Sequence, residues 1–252
     1  MINELLSDKN IQEAMVHVLS RRNIKDHTGL MLANLPEYWQ INGKLISEII
    51  RTGCYLPMDV KLFFRSKKNG KTRKIAAIPH VDMLLHRMLY QTIAPIILPI
   101  LADCCYAYMP NRSVPDAVSQ IINWVEGGKI YCARMDIRDF FDSISLDQIC
   151  SMLAGTIDDS AILQLLKALL YARIIQENQN PVIPTRGLLQ GSPMSPILSN
   201  FFLSRFDAHW KNCAYIRYAD DIMFFAEKES IVAELRRQAQ EMVKQKRRSR
   251  KV

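Results

Sequence analysis

Two adjacent carboxylates, Asp220 and Asp221, lie between apolar runs at residues 215–218 and 222–225. Both runs are rich in aromatic and β-branched residues, so each predicts a β-strand, and the short link between them predicts a tight hairpin with the carboxylates at its tip. Aspartate is also common in solvated turns, but two anions beside a packed sheet repel each other unless a cation neutralises them. The pattern therefore favours a hard divalent ion with oxygen ligands, such as magnesium.

A second acidic strand end lies upstream of this pair. Residues 130–137 form an apolar run that predicts a β-strand, and Asp136 falls near its end, where a side chain can reach a cleft. In two-metal phosphoryl transfer, ions about 3.5–4 Å apart act on the attacking and leaving oxygens. Carboxylates from different strands must be shared between such ions, and Asp136, Asp220 and Asp221 supply a suitable set.

Three motifs of the chain, taken in order, resemble the palm motifs of reverse transcriptases. The run Asp-Ile-x-x-Phe-Phe-Asp at 136–142 resembles the first, Gln-Gly-x-x-x-Ser-Pro at 190–196 the second, and Tyr-Ala-Asp-Asp at 218–221 the third. Each motif alone is modestly specific, whereas the three in this order are strongly specific. One departure is Leu189, which stands where the family usually has proline. The resemblance implies an α+β fold, the fingers and palm of a right-hand polymerase, with an antiparallel palm sheet packed on helices.

Shorter stretches at 53–57, 86–91, 106–113 and 116–118 resemble connecting segments of the bacterial group II intron-like and retron-like reverse transcriptases. With them the resemblance covers the chain from about residue 10 to residue 230. Reverse transcriptases of this kind normally continue into a helical thumb, and no thumb-like segment is recognisable in the sequence. We therefore expect either a fragment or a partner chain that supplies the thumb.

The resemblance implies RNA-directed DNA synthesis with two Mg²⁺ ions, or Mn²⁺ in their place. The implied partners are an RNA template, a DNA or RNA primer and deoxynucleoside triphosphates. The implied catalytic residues are Asp136, Asp220 and Asp221. The remaining implied contacts are Ile137 together with the three aspartates for the metal; Lys71, Arg73, Phe141, Gln190 and Gly191 for the nucleotide; and Arg112, Ser113 and Tyr218 for the nucleic acid.

Phe141 matches the family's bulky residue beneath the sugar of the incoming nucleotide. A ring at that place would clash with a 2′-hydroxyl and so favour deoxynucleotides over ribonucleotides. The alternative is that Phe141 belongs to the core. Phe140 is the better core candidate, because neighbouring side chains of an extended segment face opposite ways.

The cations of segment 65–74 flank an Asn-Gly pair, which predicts a β-hairpin. Such a cluster is usually a solvated face, but arginine also binds phosphate in a bidentate manner. By resemblance this is the fingers hairpin, in which Lys71 and Arg73 clamp the triphosphate. For Arg112 and Ser113 two interpretations stay open, since these residues either contact the template backbone or fix a loop.

The second motif leads into a predicted helix, which Ser195 can cap and in which Pro196 suits the first position. By resemblance, Gln190 and the Gly191 backbone line the nucleotide and template pocket, where glycine allows close approach. The helix then predicts one apolar face that packs under the sheet. That face consists of Ile197, Leu198, Phe201, Phe202 and Phe206.

The order of the motifs predicts a succession of segments along the chain. They are N-terminal helices and fingers at 1–84, the first part of the palm at 85–147, a helical connection at 148–186, the second part of the palm with the hairpin at 187–230, and an amphipathic helix with a basic tail, without a thumb, at 231–252. The apolar face of the last helix is predicted to hold Ile231, Leu235, Ala239 and Met242.

Net charge, cysteine spacing and hydropathy indicate which partners and which cellular location to expect. The net charge of +8 suits a polyanionic partner, although six positive charges lie at 244–251 and the rest of the chain is only about +2. The six cysteines lack Cys-x-x-Cys spacing, so reduced thiols are expected and a zinc site is not. No apolar run of about twenty residues predicts a membrane span, and the N-terminus lacks the layout of a signal peptide. We expect a cytoplasmic protein without membrane contacts.

These patterns favour RNA-directed DNA polymerisation. One alternative is RNA-directed RNA synthesis, against which Phe141 and the Tyr-Ala before the aspartates argue. The other is a non-catalytic RNA-binding or assembly module that retains the palm, which a missing thumb would allow. The sequence is compatible with an intron, a retron, antiviral defence against phage or a CRISPR-associated system.

Overall fold

The computed structural model describes residues 1–66, 72–176 and 179–248. The chain divides into two compact units, the first formed by Met1–Ile97 and Phe141–Ser199, the second by Leu98–Phe140 and Asn200–Val252. Each unit combines helices with a small β-sheet, which confirms the predicted α+β class.

The helices are numbered in chain order within the described ranges. They are α1 (Ile2–Leu5), α2 (Asp8–Leu19), α3 (Leu35–Arg51), α4 (His80–Ile97), α5 (Val114–Glu126), α6 (Phe140–Ser143), α7 (Leu146–Ala154), α8 (Ser160–Leu170), α9 (Ser195–His209) and α10 (Glu229–Arg248). Short 3₁₀ turns lie at Leu32–Asn34 and Leu98–Ile100.

The strands form two separate sheets, one in each unit. They are β1 (Val60–Ser66), β2 (Thr72–Ala77), β3 (Tyr131–Asp136), β4 (Ile174–Ile175), β5 (Ala214–Tyr218) and β6 (Asp221–Ala226). The sheet of the first unit has the order β2-β1-β4, and that of the second has the order β3-β6-β5.

Helix α4 is the central helix of the first unit. Its residues Leu84, Leu85, Met88 and Leu89 are fully buried, and α2 packs along it. Asn10 of α2 is buried with them, and its side-chain amide donates to the main-chain oxygen of Met88 at 3.3 Å. Because this polar group is hydrogen-bonded, it is compatible with the apolar surroundings.

The segment His80–Ile100 is, in the described part of the chain, the one helical stretch long and apolar enough to cross a membrane by length and composition. More than half of an 18-residue window of this segment is buried inside the protein, as is usual for a core helix. The prediction that no apolar segment reaches this length is therefore wrong, since α4 and its following turn carry few charges.

The predicted fingers hairpin is formed by β1 and β2. They pair antiparallel with Arg65 opposite Arg73, and β1 also pairs in parallel with β4. Both predicted strands are thus confirmed. The Asn-Gly pair and Lys71 lie outside the described residues, as does the side chain of Arg73.

The sheet of the second unit is antiparallel, as predicted for the palm. Its central strand β6 places Asp221 opposite Asp136 of β3 and opposite Tyr218 of β5. The predicted strand over 130–137 is therefore confirmed as β3, and the hairpin around Asp220 is confirmed as the connection between β5 and β6.

The two faces of this sheet pack against different elements, because successive residues of a strand point to opposite sides. Phe224 lies among Trp210 and Tyr215, with ring centroids 4.9 and 5.1 Å away. Phe225 faces the other way, toward Trp124 of α5 at 5.6 Å. Apolar burial on both faces fixes the register, since a slip by one residue would exchange them.

Helix α9 differs from the prediction of a single apolar face. Its apolar residues are buried, but Ser199, Asn200 and Asp207 are buried as well. A helix that is buried nearly all round has no separate polar face. The one-sided interpretation is therefore wrong, because it left out the polar side chains that this helix contributes to the interior.

Two local predictions need correction. Phe140 is buried as predicted, but the segment Phe140–Ser143 is a helical turn and not extended. The predicted C-terminal helix is confirmed as α10, although its buried face includes Val232 and Ala239 while Ile231 is 42% exposed.

Candidate active site

The hairpin that joins β5 to β6 is tight, because Tyr218 and Asp221 pair directly and leave only Ala219 and Asp220 between them. Ala219 has a φ of 57°, a left-handed conformation that costs a non-glycine residue about 1–2 kcal/mol. Such conformations persist where the surroundings enforce them, often at functional sites. The strained residue here lies immediately before the candidate metal ligands.

The three predicted carboxylates converge at this hairpin. Asp136 and Asp221 are directly opposite each other in the sheet, and the main-chain N–H of Ile137 donates to the main-chain oxygen of Asp220 at 3.2 Å. Burial raises the pKa of Asp220, and the nearby Asp136 and Asp221 carboxylates raise it further, as does a side-chain hydrogen bond with Asp136. The site thus concentrates negative charge that a cation would neutralise.

The Asp221 carboxylate already has a cationic partner. Arg134, two residues before Asp136 on β3, donates to Asp221 Oδ1 through Nε at 2.9 Å and Nη2 at 2.7 Å. In the described ranges, no group of three or more His, Cys, Asp or Glu side chains is arranged to hold a metal ion. Asp136 and Asp220 are the other two carboxylates of the hairpin, and their oxygen chemistry suits magnesium.

Ile137 and Tyr218 lie at the ends of the strands that carry the carboxylates. The Ile137 side chain is buried and has no ligating atom, so its predicted part in metal binding could come only from the main-chain oxygen. Tyr218 is 44% exposed and opposite Asp221. Its predicted contact with nucleic acid stays a prediction, with a ring available to solvent beside the carboxylates.

A fully buried ion pair lies behind the hairpin. Arg217 and Asp207 both have 0% exposure, and Arg217 Nη2 donates to Asp207 Oδ2 at 2.6 Å while Nε donates to Oδ1 at 2.9 Å. Burial acts to lower the pKa of Arg217, but the hydrogen bonds and charge of Asp207 outweigh it and the pKa is raised. The guanidinium therefore stays charged inside the protein.

Arg217 also fixes the backbone of the strained turn. Its Nη1 donates to the main-chain oxygen of Ala219 at 3.0 Å and to Asn200 Oδ1 at 2.9 Å. The Asn200 amide in turn donates to the main-chain oxygen of Ala107 at 2.8 Å. Since every one of these groups is hydrogen-bonded, the network specifies one position for the hairpin.

Neither Arg217 nor Arg134 was singled out by the sequence. A signal for the first was present, because Asn200 and Asp207 are seven residues apart, two turns on one side of a helix rich in apolar residues. Polar residues at such positions predict a buried partner, and Arg217 in an apolar strand is a suitable one. The Arg134–Asp221 pair depends on the register between β3 and β6, which no local sequence pattern predicts.

The second motif belongs to the first unit, where it is tied to β2. The main-chain oxygen of Gln190 accepts from the N–H of Ala76 at 3.0 Å. Gly191 has a φ of 120°, and a Cβ there would lie 3.2 Å from the Ala76 oxygen. The need for glycine is therefore explained by its conformation and by close packing on β2, while the nucleotide contacts of Gln190 and Gly191 stay predictions.

Ser192 anchors this motif loop to α4. Its hydroxyl oxygen lies 2.8 Å from Nδ1 of the buried His86 and accepts from the N–H of Met194 at 3.1 Å. Burial lowers the pKa of His86 to about 3, with a smaller effect from Arg21. A neutral imidazole thus holds the loop that carries Gln190.

Phe141 is half-buried, and its main-chain oxygen accepts from the N–H of Leu188 at 3.0 Å. The structure thus joins the first motif to the residues just before the second. The placement of Phe141 beneath a nucleotide sugar stays a prediction, as do the phosphate contacts of Lys71 and Arg73.

Arg112 and Ser113 have structural partners. Arg112 Nη1 donates to the main-chain oxygens of Ala102, Asp103 and Cys105, and Nη2 forms an ion pair with Asp103 at 2.7 Å. Ser113 is the N-cap of α5 and shares a capping box with Asp116. These contacts support the loop-fixing interpretation, and a contact with template stays a prediction.

Comparison with known proteins identifies the family. The model of the family "Reverse transcriptase (RNA-dependent DNA polymerase)" matches residues 65–251, well over half of the chain. The chain therefore belongs to the reverse transcriptase family. The resemblance of its three motifs and the expected polymerase fold are both confirmed.

Curated relatives include proteins of introns and retrons. The Group II intron-encoded protein LtrA of Lactococcus lactis subsp. cremoris is 28% identical over 165 residues, which are 65% of this chain and 27% of that protein. The Retron Mx65 reverse transcriptase of Myxococcus xanthus is 24% identical over 176 residues, covering 63% of this chain and 38% of that protein. The chain thus spans well under two thirds of the length of either relative.

Solved structures show the same fold. A chain of the partial Cas6-RT-Cas1–Cas2 complex matches with a TM-score of 0.58 and 22% identity, over 90% of this chain and 38% of that chain. A chain of the Cas6-RT-Cas1–Cas2 complex gives the same TM-score and identity over 24% of its own length.

The buried ion pair yields a stability prediction. Arg217→Met leaves Asp207 as an unpaired buried carboxylate, so we expect the free energy of unfolding to fall by about 3–5 kcal/mol. Adding Asp207→Leu removes the unpaired charge and should restore part of that loss, while Asn200 and Ala219 still lack the donor that Arg217 supplied. Urea denaturation measures both values, and a double variant no more stable than Arg217→Met would contradict this account.

His86 yields a prediction for pH dependence. In the unfolded chain His86 binds a proton below about pH 6.5, whereas in the folded protein its pKa is about 3. Between these two values protons favour the unfolded chain, so the free energy of unfolding falls as the pH is lowered. His86→Asn removes the titrating group while keeping a hydrogen-bonding side chain near Ser192. As the pH is lowered, we expect the unfolding free energy of the His86→Asn variant to fall by about 1.4 kcal/mol less per pH unit than that of the wild type.

Urea denaturation at several pH values between 6.5 and 4.5 measures this slope. The exposed His27 provides the control substitution, since His27→Asn leaves His86 and its contribution to the slope in place. An unchanged slope in His86→Asn would show that this imidazole does not resist protonation in the folded protein.

Proposed function

We propose that the chain catalyses RNA-directed DNA synthesis, in which a primer 3′-hydroxyl loses its proton and attacks the α-phosphate of a deoxynucleoside triphosphate, the bond to the β-phosphate breaks and pyrophosphate leaves. The observation that carries this proposal is the convergence of Asp136, Asp220 and Asp221 at the tip of a hairpin, in a chain of the reverse transcriptase family. An RNA template and a DNA or RNA primer are the nucleic-acid partners, and the intron and retron relatives support this choice.

Asp136 and Asp220 are the proposed holders of two Mg²⁺ ions, with Mn²⁺ as a substitute. Asp221 and the main-chain oxygen of Ile137 are the further oxygen donors. When bound, the pair of ions activates the attacking oxygen and stabilises the leaving one. The carboxylates lie at strand ends held by the sheet, so little rearrangement is needed to present them.

The repulsion among these carboxylates supports cation binding. It contributes to the raised pKa of Asp220, after burial itself, and a divalent ion between the carboxylates would turn that repulsion into attraction. The fixed turn around Ala219 prevents Asp220 from moving away. The hairpin therefore keeps an unfavourable arrangement that becomes favourable with a cation.

The nucleotide contacts are proposed on the family resemblance. Phe141 selects against the 2′-hydroxyl, Gln190 and Gly191 contact the base pair being formed, and Lys71 and Arg73 neutralise the triphosphate. Positioning of the primer multiplies the rate of a reaction whose chemistry depends on the carboxylates.

Primer extension on an RNA template tests the catalytic assignment. We expect Mg²⁺-dependent incorporation of deoxynucleotides, and Asp220→Ala should lower the rate by about 10³-fold or more, because metal binding supplies several kcal/mol of transition-state stabilisation. The control is Asp158→Ala, which removes an exposed carboxylate of the first unit and should leave the rate unchanged.

The outcome also separates the alternative functions. Preferential use of ribonucleotides would indicate an RNA polymerase. Absence of extension by the wild type, with equal RNA binding by wild type and Asp220→Ala, would contradict catalysis and support an RNA-binding or assembly module.

Sugar selection by Phe141 is tested with deoxy- and ribonucleotides offered separately. Phe141→Ala removes the ring, so we expect the preference for deoxynucleotides to fall by about 10–100-fold, while Phe141→Tyr keeps the ring and the preference. The ratio of kcat/KM for the two nucleotides is the measurement. An unchanged ratio in Phe141→Ala would assign the ring to packing alone.

A further inference from the structure

Arg134 is placed where it can control the third carboxylate of the site. Both of its hydrogen bonds go to one oxygen of Asp221, at 2.9 and 2.7 Å. The Arg134 side chain is 67% exposed and that of Asp221 40% exposed. Ion pairs this exposed contribute little to stability, so folding alone does not require the pair.

Strand geometry explains why Arg134 reaches Asp221. Arg134 and Asp136 are two residues apart on β3 and lie on the same side of the sheet, and Asp221 is opposite Asp136. The guanidinium therefore approaches Asp221 on the side of the sheet that carries the carboxylates. An ion that takes Asp221 as a ligand therefore meets Arg134 either at Oδ1, which the guanidinium already occupies, or at Oδ2, close to the same positive charge.

We propose that Arg134 is a positioning residue that holds Asp221 in an ion pair until a divalent cation displaces it. This inference rests on the proposed function, because it assumes that Asp136 and Asp220 receive the cation first. In the metal-free protein the guanidinium forms these hydrogen bonds with Asp221, one of three neighbouring carboxylates, and leaves Asp136 and Asp220 for the cation. Exchange of Arg134 for the cation then completes the set of carboxylate ligands.

The proposal predicts a specific coupling in metal affinity. Without Arg134, Asp221 is free to bind, so we expect Arg134→Ala to lower the Kd for Mn²⁺ about three- to fivefold. In the Asp221→Asn background the competition no longer exists, and Arg134→Ala should change the Kd by less than about twofold. A simple loss of positive charge near the site would instead tighten binding in both backgrounds.

The experiment titrates Mn²⁺ into the full chain, without nucleotide or nucleic acid, and follows the electron paramagnetic resonance signal of free Mn²⁺. Four proteins form the cycle: wild type, Arg134→Ala, Asp221→Asn and the double variant. Arg236→Ala removes a charge from an exposed position of α10 and should leave the Kd unchanged. Circular dichroism verifies that each variant is folded.

The results distinguish this inference from the proposed function. Tightening by Arg134→Ala that disappears in the Asp221→Asn background supports the inference. Mn²⁺ binding that is insensitive to Arg134, or equally sensitive in both backgrounds, overturns the inference and leaves the proposed function standing. If Asp220→Ala binds Mn²⁺ as wild type does, or if none of the proteins binds it, the metal role of the hairpin fails as well.

Discussion

The buried ion pair between Arg217 and Asp207 is the interaction on which the candidate site depends. Neither side chain is exposed, and a charge in such surroundings is tolerated only when it is paired and hydrogen-bonded. The same guanidinium holds the main-chain oxygen of Ala219. The guanidinium that neutralises Asp207 therefore also fixes the position of the turn, so the hairpin cannot shift without breaking the ion pair.

The sheet separates this network from the carboxylates that it positions. Arg217 is opposite Ile222, whereas Asp136 is opposite Asp221, and alternate residues face opposite sides. One side of the hairpin thus carries the buried Arg217–Asp207 pair, while the other concentrates like charges at Asp136 and Asp221. Stability is lost to that repulsion and to the left-handed Ala219, as is common where a site is prepared for a ligand.

Much of this arrangement could be predicted from sequence, because alternating apolar residues and acidic strand ends are local patterns. Those patterns gave the hairpin at Asp220 and the strand ending at Asp136. They did not predict the burial of Arg217, because a single basic residue in a strand is expected at the surface unless its partner on α9 is known. The Arg134–Asp221 pair required the register of two strands 87 residues apart, and the neutral His86 required the packing of α4.

We propose that this hairpin is a divalent-metal centre of a reverse transcriptase. The most direct test is a crystal structure of the chain with Mn²⁺, with the anomalous signal used to locate the ion. An anomalous peak is expected between the carboxylates of Asp136 and Asp220, within about 2.0–2.3 Å of an oxygen of each. Mn²⁺ bound only elsewhere, with the hairpin carboxylates unchanged, would contradict it.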